Sequence, residues 1–361
     1  MKKKIISILG STGSIGLTSL KIVKKEKKLF QINVLSANKS YSKICSQIKT
    51  FKPKVFIISD KKIFLKVKNK NKNKNIKILN SFDLLPFDLR KNDVTVSAIP
   101  GLAGLYPTIK FIEKSKKILL ANKESIICGW NIIKKISKKN NTTLVPIDSE
   151  HFSIKKLLSD HKNNEIKKIY ITASGGPFLK LPLNKFGSIK PAEAIKHPKW
   201  SMGKKISVDS ATLMNKILEL IEAKKIFPFK MSMYEVIIHP QSLVHAIVKF
   251  KNGLTKFLYH EPDMIIPISN AIFNYNSNID DYFKAEKQET IYKNIEFIKV
   301  DKSRFPSINL TPKLDKYIST PIVINAANEI LVDHFLKNKI SFNSIYRYLS
   351  LVLKDKNYKK Y

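Results

Sequence analysis

PIDSEH, residues 146–151, closes an apolar run, TTLVPI, with two carboxylates one residue apart and a histidine. Read as a strand end, this spacing points Asp148 and Glu150 the same way, because alternate residues of an extended chain share a face. Two anions so close need a cation, a shared proton or open water. A second polar group lies in SVDSATLMNKILELIEAK, 207–224, which the periodicity predicts to be one long helix over 208–226. Asn215 and Glu219 stand four apart there, and Lys216 and Glu219 three apart, so all three share one side of a helix otherwise rich in Leu, Met and Ile. A plain surface helix would carry the same stripe. With Ser210, however, Asn215 and Lys216 make a phosphate cradle, and Glu219 can add a third carboxylate to Asp148 and Glu150. Three oxygen ligands with no cysteine favour a hard ion such as Mg2+ or Mn2+.

GSTGSIG, residues 10–16, sits between an apolar run and an amphipathic one. Glycines there permit a tight turn, and a helix N-terminus offers unpaired N–H groups to a pyrophosphate. The spacing is near the dinucleotide fingerprint without matching it. After the second apolar run comes SANKS, 36–40, with no acid to hold ribose hydroxyls and with Lys39 instead. A lysine there suits the 2′-phosphate of NADP, although lysine is abundant throughout.

These residues need a scaffold. KIISILG, QINVLSA, KVFIISD, DVTVSAI, KKILLAN and TTLVPID read as strands, with helical stretches at 15–26, 41–51, 104–115 and 124–137. That alternation predicts an α/β, mostly parallel, Rossmann-like domain over 1–148. From 149 to 273 the rhythm changes to an α+β domain: a strand at 166–173, SGGPF, a loop HPKWSMGK, the long helix, then YEVIIHP, LVHAIVKF and LTKFLYH. Residues 274–299 read as a linker and 300–361 as a small C-terminal helical domain.

The 361 residues carry a net charge of +38. The positive charge is almost all lysine, arginine occurring only at Arg90, Arg304 and Arg347. Groove readers depend on arginine's planar fork, so a nucleic-acid partner is not expected; a lysine, asparagine and isoleucine bias is what an AT-rich genome writes onto any protein. No apolar run approaches a membrane span. The apolar stretch Ile5–Leu9 is too short for a signal sequence and reads as a first strand. Two cysteines, Cys45 and Cys128, make no disulfide framework, which suits a reducing cytoplasm.

GSTGSIG, LLANKES (119–125), PIDSEH, ASGGPF (173–178), HPKWSMGKKISVDSATLMNK (197–216), IHPQSLVHAIV (238–248), EPDM (261–264) and NAANE (325–329) occur in that order. With these motifs the chain closely resembles the 1-deoxy-D-xylulose 5-phosphate reductoisomerase family. The resemblance covers nearly the whole chain, and the 197–216 block is its most specific part. It implies rearrangement and NADPH-dependent reduction of that phosphosugar to 2-C-methyl-D-erythritol 4-phosphate, in the non-mevalonate isoprenoid route. It implies NADPH on Thr12, Gly13, Ser14, Ile15, Asn38, Lys39, Ser40, Asn122, Glu124 and Gly203. It implies a divalent metal (Mg2+, Mn2+ or Co2+) on Asp148, Glu150 and Glu219, and substrate on Lys123, Ser149, Glu150, Ser174, His197, Ser210, Asn215, Lys216 and Glu219. Lys123 and His197 join the metal ligands as catalytic residues, and Gly203 with its surrounding loop looks like a lid. In that loop, 197–205, an exposed tryptophan needs a partner, so Trp200 is expected to pack over bound substrate, the alternative being that it anchors the loop permanently to its domain. The resemblance also implies a homodimer. Asn38 and Ser40 stand where Gly and Asn are common in the family, Ile265 follows EPDM where arginine is common, and residues 330–361 make a short end after NAANE. The competing reading is a simple NAD(P) oxidoreductase that uses His197 as acid and needs no metal.

Overall fold

Parallel strands need crossovers, and the first half of the chain supplies them. The computed structural model describes residues 3–71, 75–198, 200, 203–276, 278, 279, 282, 294–355 and 357. In it β1 (Lys4–Leu9), α1 (Ser14–Lys25), β2 (Phe30–Ala37), α2 (Tyr41–Phe51) and β3 (Val55–Ile58) follow the expected alternation. Next come α3 (Lys61–Lys70) and β4 (Lys77–Leu79), which the lysine-rich sequence did not announce. α3 buries little beyond Val67 and starts at Asp60, whose carboxylate accepts from Ile63 N–H at 2.9 Å. β5 (Val94–Ser97), α4 (Leu105–Glu113), β6 (Lys117–Leu120), α5 (Lys123–Lys139) and β7 (Thr143–Pro146) complete the domain. The seven strands pair in parallel in the order β4-β3-β2-β1-β5-β6-β7. β3 and β5 are buried along their whole length; the run of β3 is accordingly continuously apolar, while β5 buries Thr95 and Ser97 with their hydroxyls bonded to Ser115 and Thr108. The strand order reverses between β1 and β5, and ligands of such sheets bind at the carboxyl ends of strands at that point.

The chain then builds α6 (Ser149–Leu157), β8 (Ile166–Ala173), α7 (Pro191–Ala194), α8 (Lys204–Ala211), α9 (Met214–Ile226), β9 (Tyr234–Ile238), β10 (Val244–Phe250) and β11 (Thr255–Tyr259). After α10 (Ile265–Phe273) come β12 (Ile298–Lys299), α11 (Thr320–Leu336) and α12 (Phe342–Val352). A second, mixed sheet runs β11-β10-β8-β9-β12.

The division into compact parts differs from the linear one read from sequence. The described residues of 1–148 and 264–284 make one unit, and those of 149–263 and 285–361 the other. α10, expected at the end of the α+β domain, returns to the first unit because its apolar face needs a core. Ile268, Ala271 and Ile272 are buried there among Leu20, Val23 and Phe30. Phe273 tilts against Phe30 with ring centroids 5.6 Å apart. Residues 300–361 do not form a domain of their own: Phe335, Phe342 and Ile345 share one apolar cluster with Phe178, Phe186 and Val208. Of the expected linker, 298–299 pair with β9 as a strand, and 283–293 lie outside the described residues.

Two local expectations are also corrected. The long helix over 208–226 is two helices, broken at Thr212 and Leu213. Leu213 takes φ +62°, a left-handed conformation costly for a branched side chain, while its side chain is buried. PIDSEH is not a strand end throughout: β7 stops at Pro146, and Ser149 already begins α6. Asp148 and Glu150 therefore owe their placement to a strand-to-helix turn, not to strand alternation.

Candidate functional site

In the first unit the glycine loop follows β1 and opens α1. Gly10 has φ +82°, and a Cβ there would lie 2.5 Å from the Ala98 carbonyl oxygen after β5. A Cβ on Gly16 would overlap the Gly10 carbonyl. Close backbone approach, rather than flexibility, is what these two glycines provide. α1 has no side-chain cap, so the N–H groups of its first turn are left to a ligand or to solvent, as an anion site requires. Thr12 and Ile15 are half-buried in this loop, and Gly13 and Ser14 exposed.

Ser11 and Gln47, which carried no signal in sequence, fix the loop. Ser11 Oγ donates to Gln47 Oε1 at 2.6 Å, and Gln47 Nε2 donates to the Ser11 carbonyl at 2.9 Å. Asn38 and Lys39 are exposed immediately after β2, and Ser40 precedes α2. Asn122 caps α5 by accepting from Ser125 N–H at 2.5 Å, while its amide donates to the Ile99 and Gly101 carbonyls. It acts by shaping the loop after β5. Glu124 lies in the first turn of α5, and Lys123, the first residue of that helix, is paired with Asp148.

The second unit holds the remaining carboxylates. Glu150 in the first turn of α6 and Glu219 in α9 are both buried, and the Lys216 ammonium bridges them at 2.6 and 2.8 Å. Glu219 also accepts from Asn215 Nδ2 at 2.5 Å, and Glu150 from Ser149 Oγ at 2.7 Å. His151 was seen in sequence but given no role. Its Nε2 donates to the Glu219 backbone carbonyl at 2.9 Å, which locks α6 to α9 in register. Lys216 is thus first a counter-ion of the carboxylates. Removing two buried anions from water is tolerable only with such pairing, or with a metal in its place.

Beside this cluster, Ser174 follows β8 directly and leads into Gly175 and Gly176, both at positive φ. Ser174 Oγ accepts from Gly176 N–H at 3.1 Å and lies 3.0 Å from His197 Nε2. His197 Nδ1 accepts from Trp200 N–H at 3.0 Å. An imidazole that accepts at Nδ1 is neutral and carries its proton on Nε2, so it donates to Ser174. Burial, with the positive charge of Lys216 nearby, pulls the His197 pKa from 6.5 to about 4. Since the unfolded chain binds this proton more readily, the contribution to stability is complete above pH 6.5 and is lost as pH falls toward 4. An NMR titration is expected to show the His197 ring still neutral at pH 5; a midpoint near 6.5 would refute this environment.

The ring of Trp200 lies edge-on to His245 at 6.1 Å, and His245 stacks on His260 at 4.0 Å. The tryptophan therefore has a partner inside its own unit. Lys199, Ser201 and Met202 lie outside the described residues, and Gly203 precedes α8 with open space around it. Ser210 lies in the last turn of α8 and Asn215 and Lys216 in the first turn of α9, on opposite sides of the Leu213 break.

The family model described as 1-deoxy-D-xylulose 5-phosphate reductoisomerase matches residues 6–129. The models of its C-terminal domains match 144–227 and 260–361. The reductoisomerase of Pelagibacter ubique (strain HTCC1062) is 48% identical over 368 residues, covering 100% of this chain and 93% of the relative. That of Clostridium botulinum (strain 657 / Type Ba4) is 40% identical, covering 95% and 90%. Among solved structures, a DOX-P reductoisomerase in complex with NADPH, fosmidomycin and magnesium superposes with TM-score 0.89 at 33% identity, covering 99% of this chain and 90% of the other. The enzyme from Zymomonas mobilis in complex with NADPH gives 0.86 at 33% identity, covering 98% and 91%.

Proposed function

The chain belongs to the 1-deoxy-D-xylulose 5-phosphate reductoisomerase family, and from that premise we propose how its residues divide the work of the reaction. The activity is the NADPH- and divalent-metal-dependent conversion of 1-deoxy-D-xylulose 5-phosphate to 2-C-methyl-D-erythritol 4-phosphate. The observation that carries the division is the buried pair Glu150 and Glu219 around one lysine.

Those two carboxylates, with Asp148 one residue before α6, form an all-oxygen donor set suited to a hard cation. When bound, the divalent ion supplies Lewis acidity toward the substrate carbonyl and its neighbouring hydroxyl. NADPH supplies the hydride, and the glycine loop and the uncapped start of α1 fit its pyrophosphate. Lys123 orients Asp148. His151 and Asn215 orient Glu219. His197, neutral, presents a fixed N–H to Ser174 and is a poor proton donor at neutral pH, which disfavours the simple-dehydrogenase reading. Ser174, Ser210, Asn215 and Lys216 take the phosphate, Ser149 and Lys123 the sugar oxygens. Residues 197–205 serve as cover, with Trp200 seated on His245 as the anchor. Product analysis after incubation with NADPH, Mg2+ and the phosphosugar tests the reading: reduction without skeletal rearrangement would overturn it.

Lys39 and the neighbouring Asn38 and Ser40 take the adenosine 2′-phosphate. A Lys39→Asp variant should lose ~1–2 kcal/mol of NADPH preference, one charge-assisted contact at an exposed position. An unchanged ratio of kcat/KM for NADPH and NADH would reject that role.

A second copy of this chain is the partner we assign to the edge of the mixed sheet. β11 stands at the end of that sheet, with Phe257 and Leu254 exposed at 47% and 57%. A homodimer covers them, and Phe257→Lys should shift sedimentation toward the monomer. A wild-type monomer at micromolar concentration would remove the proposal. Cys45 and Cys128 are not joined in a disulfide, which suits a cytoplasmic enzyme. Among the described residues no helix is long and apolar enough to cross a membrane.

A further inference from the structure

Asp209 precedes Ser210 in α8 and is 1% exposed, and nothing in the division of labour above uses it. Both of its oxygens are engaged. Oδ1 accepts from Asn328 Nδ2 of α11 at 2.7 Å, and Oδ2 from Lys205 Nζ at 2.9 Å, one turn back. Asn328 is itself fully buried. Aspartate is a poor residue for a helix interior and a costly one to bury, and an apolar side chain would fill the space without that cost. The polar pair therefore has some use beyond packing.

Its place indicates which. The end of α8 runs against the glycine turn that follows Ser174. A Cβ at Gly176 would lie 3.0 Å from Ala211 Cα and 3.1 Å from the Ser210 carbonyl oxygen. Immediately beyond is the left-handed Leu213, then Asn215 and Lys216 in the first turn of α9. Strained backbone of this kind persists only where its surroundings over-determine it. Thr212 Oγ1 reaches back to the Val208 carbonyl at 3.0 Å, and Asp209 ties the same turn to α11.

We infer that Asp209 is a positioning residue for the phosphate end of the substrate, with Asn328 as its anchor, so that α11 sets where Ser210 and the start of α9 stand. This rests on the reading of Ser174, Ser210, Asn215 and Lys216 as the phosphate contacts. Neither Asp209 nor Asn328 touches substrate; they act through α8.

The test uses full-length enzyme with Mg2+ and NADPH, and inorganic phosphate as a competitive probe. Asn328→Ala is expected to raise KM for the phosphosugar and Ki for phosphate together, roughly tenfold, the equivalent of ~1.4 kcal/mol for one hydrogen bond to a charged group. kcat and KM for NADPH should stay close to wild type. The exchanged pair, Asp209→Asn with Asn328→Asp, keeps a carboxylate and an amide across the same gap and leaves an amide oxygen for Lys205. It should recover most of the loss, whereas Asp209→Asn alone should not. If Asn328→Ala does not fold, Asn328→Ser carries the same measurement. A folded variant whose phosphate Ki is unchanged, or whose NADPH KM rises equally, overturns the inference. Ser210→Ala separates the two levels. If it weakens phosphate and the Asn328 variants do not, only the role of Asp209 fails; if it has no effect on phosphate, the cradle reading fails with it.

Discussion

A Glu219→Gln variant is expected to fold and to lose about 10²–10³-fold in kcat, the scale seen when one preorganised electrostatic group is removed from a site. The substitution nearly preserves shape, so the loss is chemical. Glu219 accepts from Asn215 through one oxygen and from Lys216 through the other. Glutamine has one acceptor, so one of those donors would face an amide N–H instead, at a cost of ~1–3 kcal/mol in stability. More important, the donor set for a divalent cation loses a charge. Calorimetric titration with Mg2+ in the presence of NADPH should show the affinity falling with kcat. Glu222→Gln is the control: Glu222 is as buried and lies one turn along α9, but faces His151 at 3.5 Å. It should bind Mg2+ more nearly as the wild type does. Equal losses in the two variants would mean that the ion sits between α6 and α9 differently from the arrangement proposed.

Lys216→Met should have the second large effect, and on two quantities with opposite responses to metal. Without divalent ions, Glu150 and Glu219 are left as buried carboxylates stripped of their shared ammonium. Breaking a buried ion pair from one side costs ~3–5 kcal/mol, so the unfolding midpoint should drop steeply. Added Mg2+ should restore much of it. Binding at about 100 times Kd contributes ~2.7 kcal/mol, and in this variant the ion no longer competes with an ammonium for the same oxygens. The increment in midpoint from Mg2+ should therefore be larger in the variant than in the wild type. Turnover should not return with stability, because the lysine is also needed for the phosphosugar. Identical Mg2+ increments in the two proteins would show that Lys216 and the ion do not share the carboxylates.

Much of this was legible in the residues themselves. The six apolar runs of the first half, the glycine loop and the lysine after β2 are local features. A strand, a tight turn and an exposed charge are each specified within a few residues by periodicity, a missing side chain or polarity. β4 and α3 were missed because their lysine-rich segments carry little apolar signal; the parallel pairing of β4 with β3 is decided by the neighbouring strand. The candidate site was readable as a set of residue types, and Asp148, Glu150 and Glu219 could be named. Their placement could not be read. Strand alternation was the wrong reason for the first two, since the strand stops at Pro146. Helical spacing alone joined Ser210 to Asn215, although a left-handed leucine parts them.

What tertiary structure decided is where buried charge is compensated and which core each late helix joins. That Lys216 bridges Glu150 and Glu219, that His151 holds a carbonyl on α9, and that Asp209 reaches Asn328 across 119 positions of chain are consequences of packing between elements. α10 likewise leaves its neighbours in sequence for the core of the first unit. Periodicity records that a helix has an apolar face. It contains no information on which distant surface will cover that face, because burial is roughly proportional to area and indifferent to direction, so the choice is made only when complementary surfaces meet.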